Sequence, residues 1–176
     1  MLSKQFAATV AFLILFSGAA FAGPQFVDES GFAVSGFDVV EYRNLKQVPV
    51  GQKQPQAVPG KTSITADYNG AKWAFANEAN RDLFLKNPEK YAPVFDGHCA
   101  FGVSVGGKVQ ANPHLWRIVD DKLYLNITKN VVSQWNDDIS GNISKANSNW
   151  TGLEAKAQAT GNAPEFDSSG APVSQQ

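Results

Sequence analysis

The sequence predicts a small α+β domain with the order hairpin, helix, hairpin, helices. Residues 63–75 alternate polar and apolar side chains around Asn69-Gly70, a pattern typical of a hairpin closed by a type I′ turn. A second alternating segment lies at 115–126, and each hairpin is followed by residues with helical spacing. Together these three observations predict the α+β class.

The helix predicted after the first hairpin has recognisable limits. Asn77 is a favourable N-cap, because its side chain can accept a hydrogen bond from the first helical turn. Leu83 and Phe84 form the predicted apolar side. Asn87-Pro88 is expected to end the helix, since proline disfavours helical geometry in the residue before it.

The second half of the domain repeats this arrangement. Strands are predicted at 115–119 and 123–126, with a turn at 120–122. The first closing helix is expected at about 129–138. The second carries one apolar stripe at helical intervals, formed by Ile139, Ile143, Ala146 and Trp150.

The N-terminus is typical of a secretory leader. Residues 6–16 form an apolar run that is too short to cross a membrane, and residues 20–22 read Ala-Phe-Ala, a signal-peptidase pattern. The sequence therefore predicts a signal peptide at 1–22, a globular domain at 23–152 and a disordered tail at 153–176. We expect a periplasmic or secreted protein with no stable membrane insertion after cleavage.

The balance of charged residues argues against nucleic acid as a partner. The chain has 15 basic and 16 acidic residues, for a net charge of −1, whereas nucleic-acid binding needs a basic face. The expected partner is therefore a transition metal or a small ligand, with no nucleic acid.

Five blocks carry a resemblance to a known family: GFDVVEY (36–42), YNGAKWAF (68–75), PEKYAP (88–93), GHCAFGVS (97–104) and DDKLYLN (120–126). Over 31–150 the chain resembles the exported single-domain branch of the YHS domain family. This resemblance implies a small antiparallel sheet built from hairpins, with helices packed to one side. It also implies metal handling, with copper favoured, because YHS domains are similar to small metal-sensing modules.

The chain has two histidines and one cysteine, and these are the candidate metal ligands. His98 and Cys99 are adjacent, and His114 lies fifteen residues after Cys99. One thiolate and two imidazoles suit copper or zinc. In an extended segment His98 and Cys99 would point to opposite faces, so a shared ion requires a bend, which Gly97 permits.

Three further residues are possible additional ligands or pocket residues: Asp38, Tyr91 and Asp96. Their carboxylate or phenol oxygens could complete a coordination sphere. The metal hypothesis requires that folding brings the thiol and at least one imidazole to a common point.

Other interpretations of the same residues stay open. Cys99 is surrounded by apolar residues and can be a small buried hydrophobe, in a module that binds a non-metal small molecule or a protein. A thiol-dependent enzyme with His114 as the base is a further alternative, although no substrate site is recognisable and a non-catalytic role is expected. Core packing or a ligand cleft would equally explain the aromatic residues Phe37, Tyr42, Trp73, Phe75, Tyr91, Phe95, Trp116, Tyr124 and Trp135.

Overall fold

The computed structural model describes residues 25–157. Its elements are β1 (Lys61–Tyr68), β2 (Ala71–Phe75), α1 (Glu78–Lys86), α2 (Pro88–Tyr91), α3 (Ala100–Ser104), β3 (Asn112–Val119), β4 (Lys122–Asn126), α4 (Lys129–Asp137) and α5 (Ile139–Leu153). Single 3₁₀ turns lie at Val34–Gly36, Glu41–Arg43 and Phe95–Gly97. The predicted leader and residues 158–176 of the predicted tail lie outside the described residues.

Both predicted hairpins are present, and the α+β class is confirmed. β1 pairs with β2 and β3 pairs with β4, each pair antiparallel. Asn69 and Gly70 have φ values of 49° and 72°, as a type I′ turn requires. Asp120 and Asp121 form the second turn in the same left-handed region, and β4 begins at the next residue.

The strands form two separate two-stranded sheets within residues 25–157 rather than one continuous sheet. The edge of β4 that does not pair with β3 forms two isolated bridges to the irregular segment 93–99. These bridges join Pro93 to Leu123 and Cys99 to Leu125. Because these bridges are isolated, no third strand extends the sheet. The second of them places Cys99 directly beside β4.

Side-chain caps set the helix starts. The Asn77 side chain accepts a hydrogen bond from the Asn80 N–H at 2.9 Å, which confirms the predicted N-cap of α1. Thr128 caps α4 in the same manner. The prediction for Leu83 was wrong, because this side chain is 43% exposed and α1 buries Phe84 with Asn80 instead.

The core consists of two clusters of buried side chains. The first lies beneath the β1–β2 hairpin, where the Phe84 ring packs 4.9 Å from Trp73 and 5.1 Å from Phe75, measured between centroids. The second joins β4 to the closing helices and contains Trp135 and Ala146. The predicted apolar stripe of α5 packs on this second cluster. Within residues 25–157 every helix is too short or too polar to span a bilayer.

Candidate functional site

His98 follows the 3₁₀ turn at Phe95–Gly97 and is 3% exposed. Its Nδ1 lies 2.9 Å from the carbonyl oxygen of Phe95, so Nδ1 carries the proton, because a carbonyl can only accept. The ring packs against Phe26 and Trp150. Burial lowers the pKa of His98 to about 4, and the imidazole is therefore neutral at pH 7.

Cys99 caps the short helix α3 and is fully buried. Its Sγ accepts a hydrogen bond from the Gly102 N–H at 3.4 Å and donates one to Oδ1 of Asn126 at 3.6 Å. Burial raises the pKa of the thiol. Reactive and metal-binding thiols are thiolates with lowered pKa values, and the surroundings of Cys99 act in the opposite direction.

His114 lies on β3 and contacts the loop that precedes β1. Its Nδ1 accepts a hydrogen bond from the Ala57 N–H at 3.1 Å, and its ring meets Phe37 edge-on at a centroid distance of 4.8 Å. Burial and the nearby Lys53 charge lower the pKa of His114. The neutral ring that accepts at Nδ1 carries its proton on Nε2.

Asp38 is fully buried and joins three segments of the chain through two backbone N–H groups and one side-chain amide. Its Oδ1 accepts from the Val40 N–H at 2.9 Å, and its Oδ2 accepts from the Ala76 N–H at 2.8 Å and from Asn80 Nδ2 at 2.7 Å. Burial raises the pKa of Asp38, whereas these hydrogen bonds lower it. The carboxylate therefore connects the 3₁₀ turn after it to the end of β2 and to α1.

Tyr91 ends α2 and is partly buried. The Arg43 guanidinium and the Lys90 ammonium lie 5.9 and 5.8 Å from its ring centroid. Arg43 also forms an ion pair of 2.7 Å with Asp121 in the second hairpin turn. Tyr91 thus belongs to a surface contact between α2 and the β3–β4 turn.

Asp96 is 8% exposed, and its Oδ2 has no hydrogen-bond partner within residues 25–157. It lines a cavity of about 230 Å³ together with Tyr68 and Lys122. Burial, with a smaller contribution from the Glu154 charge, raises the pKa of Asp96 to about 6.

The structure gives the three predicted metal ligands separate partners. Cys99 bonds to Asn126, His98 to the Phe95 carbonyl and His114 to the Ala57 N–H. In the described part of the chain no group of three or more His, Cys, Asp or Glu side chains is arranged to hold a metal ion. The predicted copper or zinc site therefore gains no support from the described residues, and it stays a prediction.

A different site is present between the loop at 51–56, β3 and α4. It is a cleft of about 540 Å³ whose walls include His114, Trp116, Arg117, Asn126, Lys129 and Trp135. The α4 wall has a simple origin, because Lys129, Val132, Ser133 and Asn136 recur at helical spacing and share one face. Neither His98 nor Cys99 lines this cleft.

Two residues of the cleft wall each carry a buried polar atom that has no hydrogen-bond partner within residues 25–157. One is Nε1 of Trp135, a residue that is 1% exposed, and the other is Oδ1 of Asn136. Trp116, on the opposite wall, differs because its Nε1 donates to the Pro55 carbonyl at 2.8 Å. Buried polar groups are nearly always paired, so an unpaired donor and an unpaired acceptor on neighbouring residues of α4 mark a part of the wall that a further polar partner would complete.

Sequence reasoning identified only part of this cleft. Trp116, Trp135 and His114 were among the candidate residues, but nothing local distinguished these tryptophans from the core aromatics. Arg117, Lys129 and the loop at 51–56 were missed. No signal along the chain connects them, because the walls come together only through the tertiary fold.

The family model of the YHS domain matches residues 54–94. The chain is a YHS domain-containing protein. The match confirms the resemblance over that span, which includes β1, β2, α1 and α2. Comparison with curated proteins and with solved structures gave no match.

The span that matches the YHS domain contributes two residues to the cleft lining. Gln54 and Gln56 lie within 54–94, whereas β3 and α4 lie after it. His98, Cys99 and His114 also lie after the matched residues. Most of the cleft therefore lies outside the residues that the family model matches.

Proposed function

We propose that this YHS domain-containing protein is an exported, non-catalytic binding module that holds a small organic molecule in the cleft between the 51–56 loop, β3 and α4. The observation that carries the proposal is the buried Nε1–H of Trp135, a cleft-lining residue, which has no hydrogen-bond partner among the described residues. A buried donor left unsatisfied costs about 1–3 kcal/mol. An acceptor on a ligand would recover that cost.

The size and surface of the cleft suit such a ligand. Its volume of about 540 Å³ falls in the range of roughly 300–1,000 Å³ that is usual for small-molecule sites. Trp116, Val132 and Trp135 supply apolar surface, and Asn112 and Asn126 supply amides. A concave site with a few converging polar groups favours a small molecule over a flat protein partner.

The export part of the proposal rests on the leader at 1–22. The short apolar run and the Ala-Phe-Ala pattern support secretion. Detection of a mature chain that begins at Gly23 in the periplasm or medium is the expected result. A full-length chain that stays in the cytosol would contradict it.

The binding test uses the indole N–H signals of ¹⁵N-labelled protein. The chain has four tryptophans, so the Trp135 signal is assigned by its loss in Trp135→Phe. The probe is 2-naphthamide, which has a flat apolar body and a carbonyl acceptor. We expect a saturable shift of the Trp135 indole at millimolar probe or below, as the donor acquires its acceptor.

A matched variant controls for the loss of an indole. Trp73→Phe removes an equally buried indole whose Nε1 already donates to the Tyr68 carbonyl and which does not line the cleft. Trp135→Phe should weaken 2-naphthamide binding several-fold, and Trp73→Phe should leave it unchanged. If Trp135→Phe leaves the affinity for 2-naphthamide unchanged, this cleft is excluded as the binding site.

Metal binding at Cys99, His98 and His114 stays a prediction from the sequence and from the family resemblance. One observation favours His98, because metal-binding histidines commonly donate their other ring N–H to a backbone carbonyl, as Nδ1 does to Phe95. The test is titration with copper or zinc, with Cys99→Ser and His98→Gln as variants. Stoichiometric uptake that both variants abolish would support the metal role, and no uptake at micromolar metal would exclude it.

A further inference from the structure

We propose that the ligand of the cleft is an amphipathic organic anion, whose carboxylate or similar group is bound beside Arg117. This inference rests on the proposed function and names the chemical class of its ligand. It is drawn from the charge, the hydrogen-bonding character and the burial of the residues that line the cleft.

The charge of the lining differs in sign from that of the chain. Lys53, Arg117 and Lys129 lie in the walls, and none of the described lining residues is Asp or Glu. The chain as a whole has a net charge of −1. Three cations without a counter-charge in one concave site attract and hold anions.

Arg117 is the most buried of these three cations. It is partly buried and donates to the Val48 carbonyl at 3.3 Å. Within residues 25–157 no carboxylate lies at ion-pair distance from it. A partly desolvated guanidinium gains most from a carboxylate, which it can bind through two parallel hydrogen bonds.

Two neutral residues of the wall add further donors. His114 accepts at Nδ1 from Ala57, which leaves its proton on Nε2, and Trp135 offers Nε1–H. Both suit the oxygens of an anion. Oδ1 of Asn136 is the exception, since it is an unpaired acceptor, and it favours a ligand that also carries a hydroxyl or amine.

The experiment compares two probes that differ in charge. 2-Naphthoate and 2-naphthamide have the same ring system and a carbonyl acceptor, but only the first is an anion at pH 7. With charge-assisted hydrogen bonds, 2-naphthoate should bind at least about tenfold more tightly at low salt. Its advantage should shrink as the salt concentration rises, because Lys53 and Lys129 are exposed.

Two variants locate the effect. Arg117→Gln keeps an amide that can donate to Val48 but removes the charge, and it should lower the preference for 2-naphthoate to about threefold or less. Lys86→Gln removes an exposed charge on α1, outside the cleft, and should leave the preference unchanged. The backbone amide spectrum of each variant verifies that it is folded.

The outcomes separate the two proposals. If neither probe shifts the Trp135 indole signal, the proposed function fails. If both probes shift it with equal affinity, the cleft is a binding site but the anion inference is overturned. A preference for 2-naphthoate that persists in Arg117→Gln would also overturn the assignment to Arg117.

Discussion

The thiol of Cys99 donates a hydrogen bond to Oδ1 of Asn126 at 3.6 Å, and Asn126 forms part of the cleft wall. The same oxygen accepts from the Phe101 N–H at 3.0 Å. Cys99 therefore supports the cleft from the side of the core, without entering it. Cys99, the lone cysteine of the sequence, therefore helps to position the Asn126 side chain in the cleft wall.

Burial of Cys99 predicts slow thiol labelling in the native state. The side chain is fully buried, and burial raises its pKa, so a thiol reagent must wait for local or global opening. We expect labelling by Ellman's reagent at pH 8 to be at least about a hundredfold slower in native protein than in urea. Equal rates in the two states would mean that the thiol is accessible.

Asp38 predicts a large loss of stability on truncation. Asp38→Ala would leave the Val40 and Ala76 N–H groups and one donor of Asn80 without their acceptor. With buried donors at about 1–3 kcal/mol each, we expect a loss of about 3 kcal/mol or more in the free energy of unfolding, measured with urea. Asp67→Ala is the control, because Asp67 forms only an exposed pair with Lys72 at 3.1 Å, and it should cost less than about 1 kcal/mol.

Asp96 and His98 predict opposite pH dependences that cancel. Burial raises the pKa of Asp96 from 3.8 to about 6, so folding takes up a proton between these values and stability rises as the pH falls. Burial lowers the pKa of His98 from 6.5 to about 4, so the unfolded chain takes up the proton there and stability falls as the pH falls. Lys108 is the charge near both groups, and it lowers both pKa values.

Single variants should therefore reveal the pH dependence of the free energy of unfolding that each group contributes. In Asp96→Asn the His98 contribution is unopposed, and stability should fall between pH 6.5 and 4 by up to about 3 kcal/mol more than in the wild type. In His98→Gln the Asp96 contribution remains, and stability should rise relative to the wild type over the same range. Urea titrations at pH 4, 5, 6 and 7 measure both, and parallel profiles for all three proteins would contradict the two pKa shifts.

Local sequence signals were sufficient for the hairpins and most helix starts. Asn69-Gly70 specifies its turn through residues that tolerate positive φ, and Asn77 specifies a helix start through its side-chain acceptor. Helix α3 was not predicted, because Ala-Phe-Gly-Val-Ser contains a glycine and its N-cap is a thiol, which is a weak acceptor. Ala100 and Val103 of this stretch are nevertheless buried.

The candidate site was harder to predict than the fold for a physical reason. Trp116 bonds to Pro55, sixty-one positions away, whereas Trp135 finds no partner for its Nε1 in the described residues. Whether each of these indole N–H groups is paired therefore depends on segments that are distant along the chain. The same holds for His114, whose tautomer depends on the backbone of Ala57.

Gly97 and Gly106 provide a paired test of the segment that positions His98. Both have positive φ, 80° and 84°, so alanine at either position meets a similar backbone strain of roughly 1–2 kcal/mol. They differ in surroundings, because a Cβ at Gly97 would overlap Nε2 of Gln25, which donates to the Asp96 carbonyl at 2.6 Å, whereas a Cβ at Gly106 meets nothing within 4 Å.

Gly97→Ala should therefore destabilise the protein by about 1 kcal/mol more than Gly106→Ala, the difference being the displaced hydrogen bond. In a Gln25→Ala background the overlap is gone, and the two glycine substitutions should cost the same. Urea unfolding of the four variants measures this, and a difference that survives in the Gln25→Ala background would show that another contact of Gly97 is responsible.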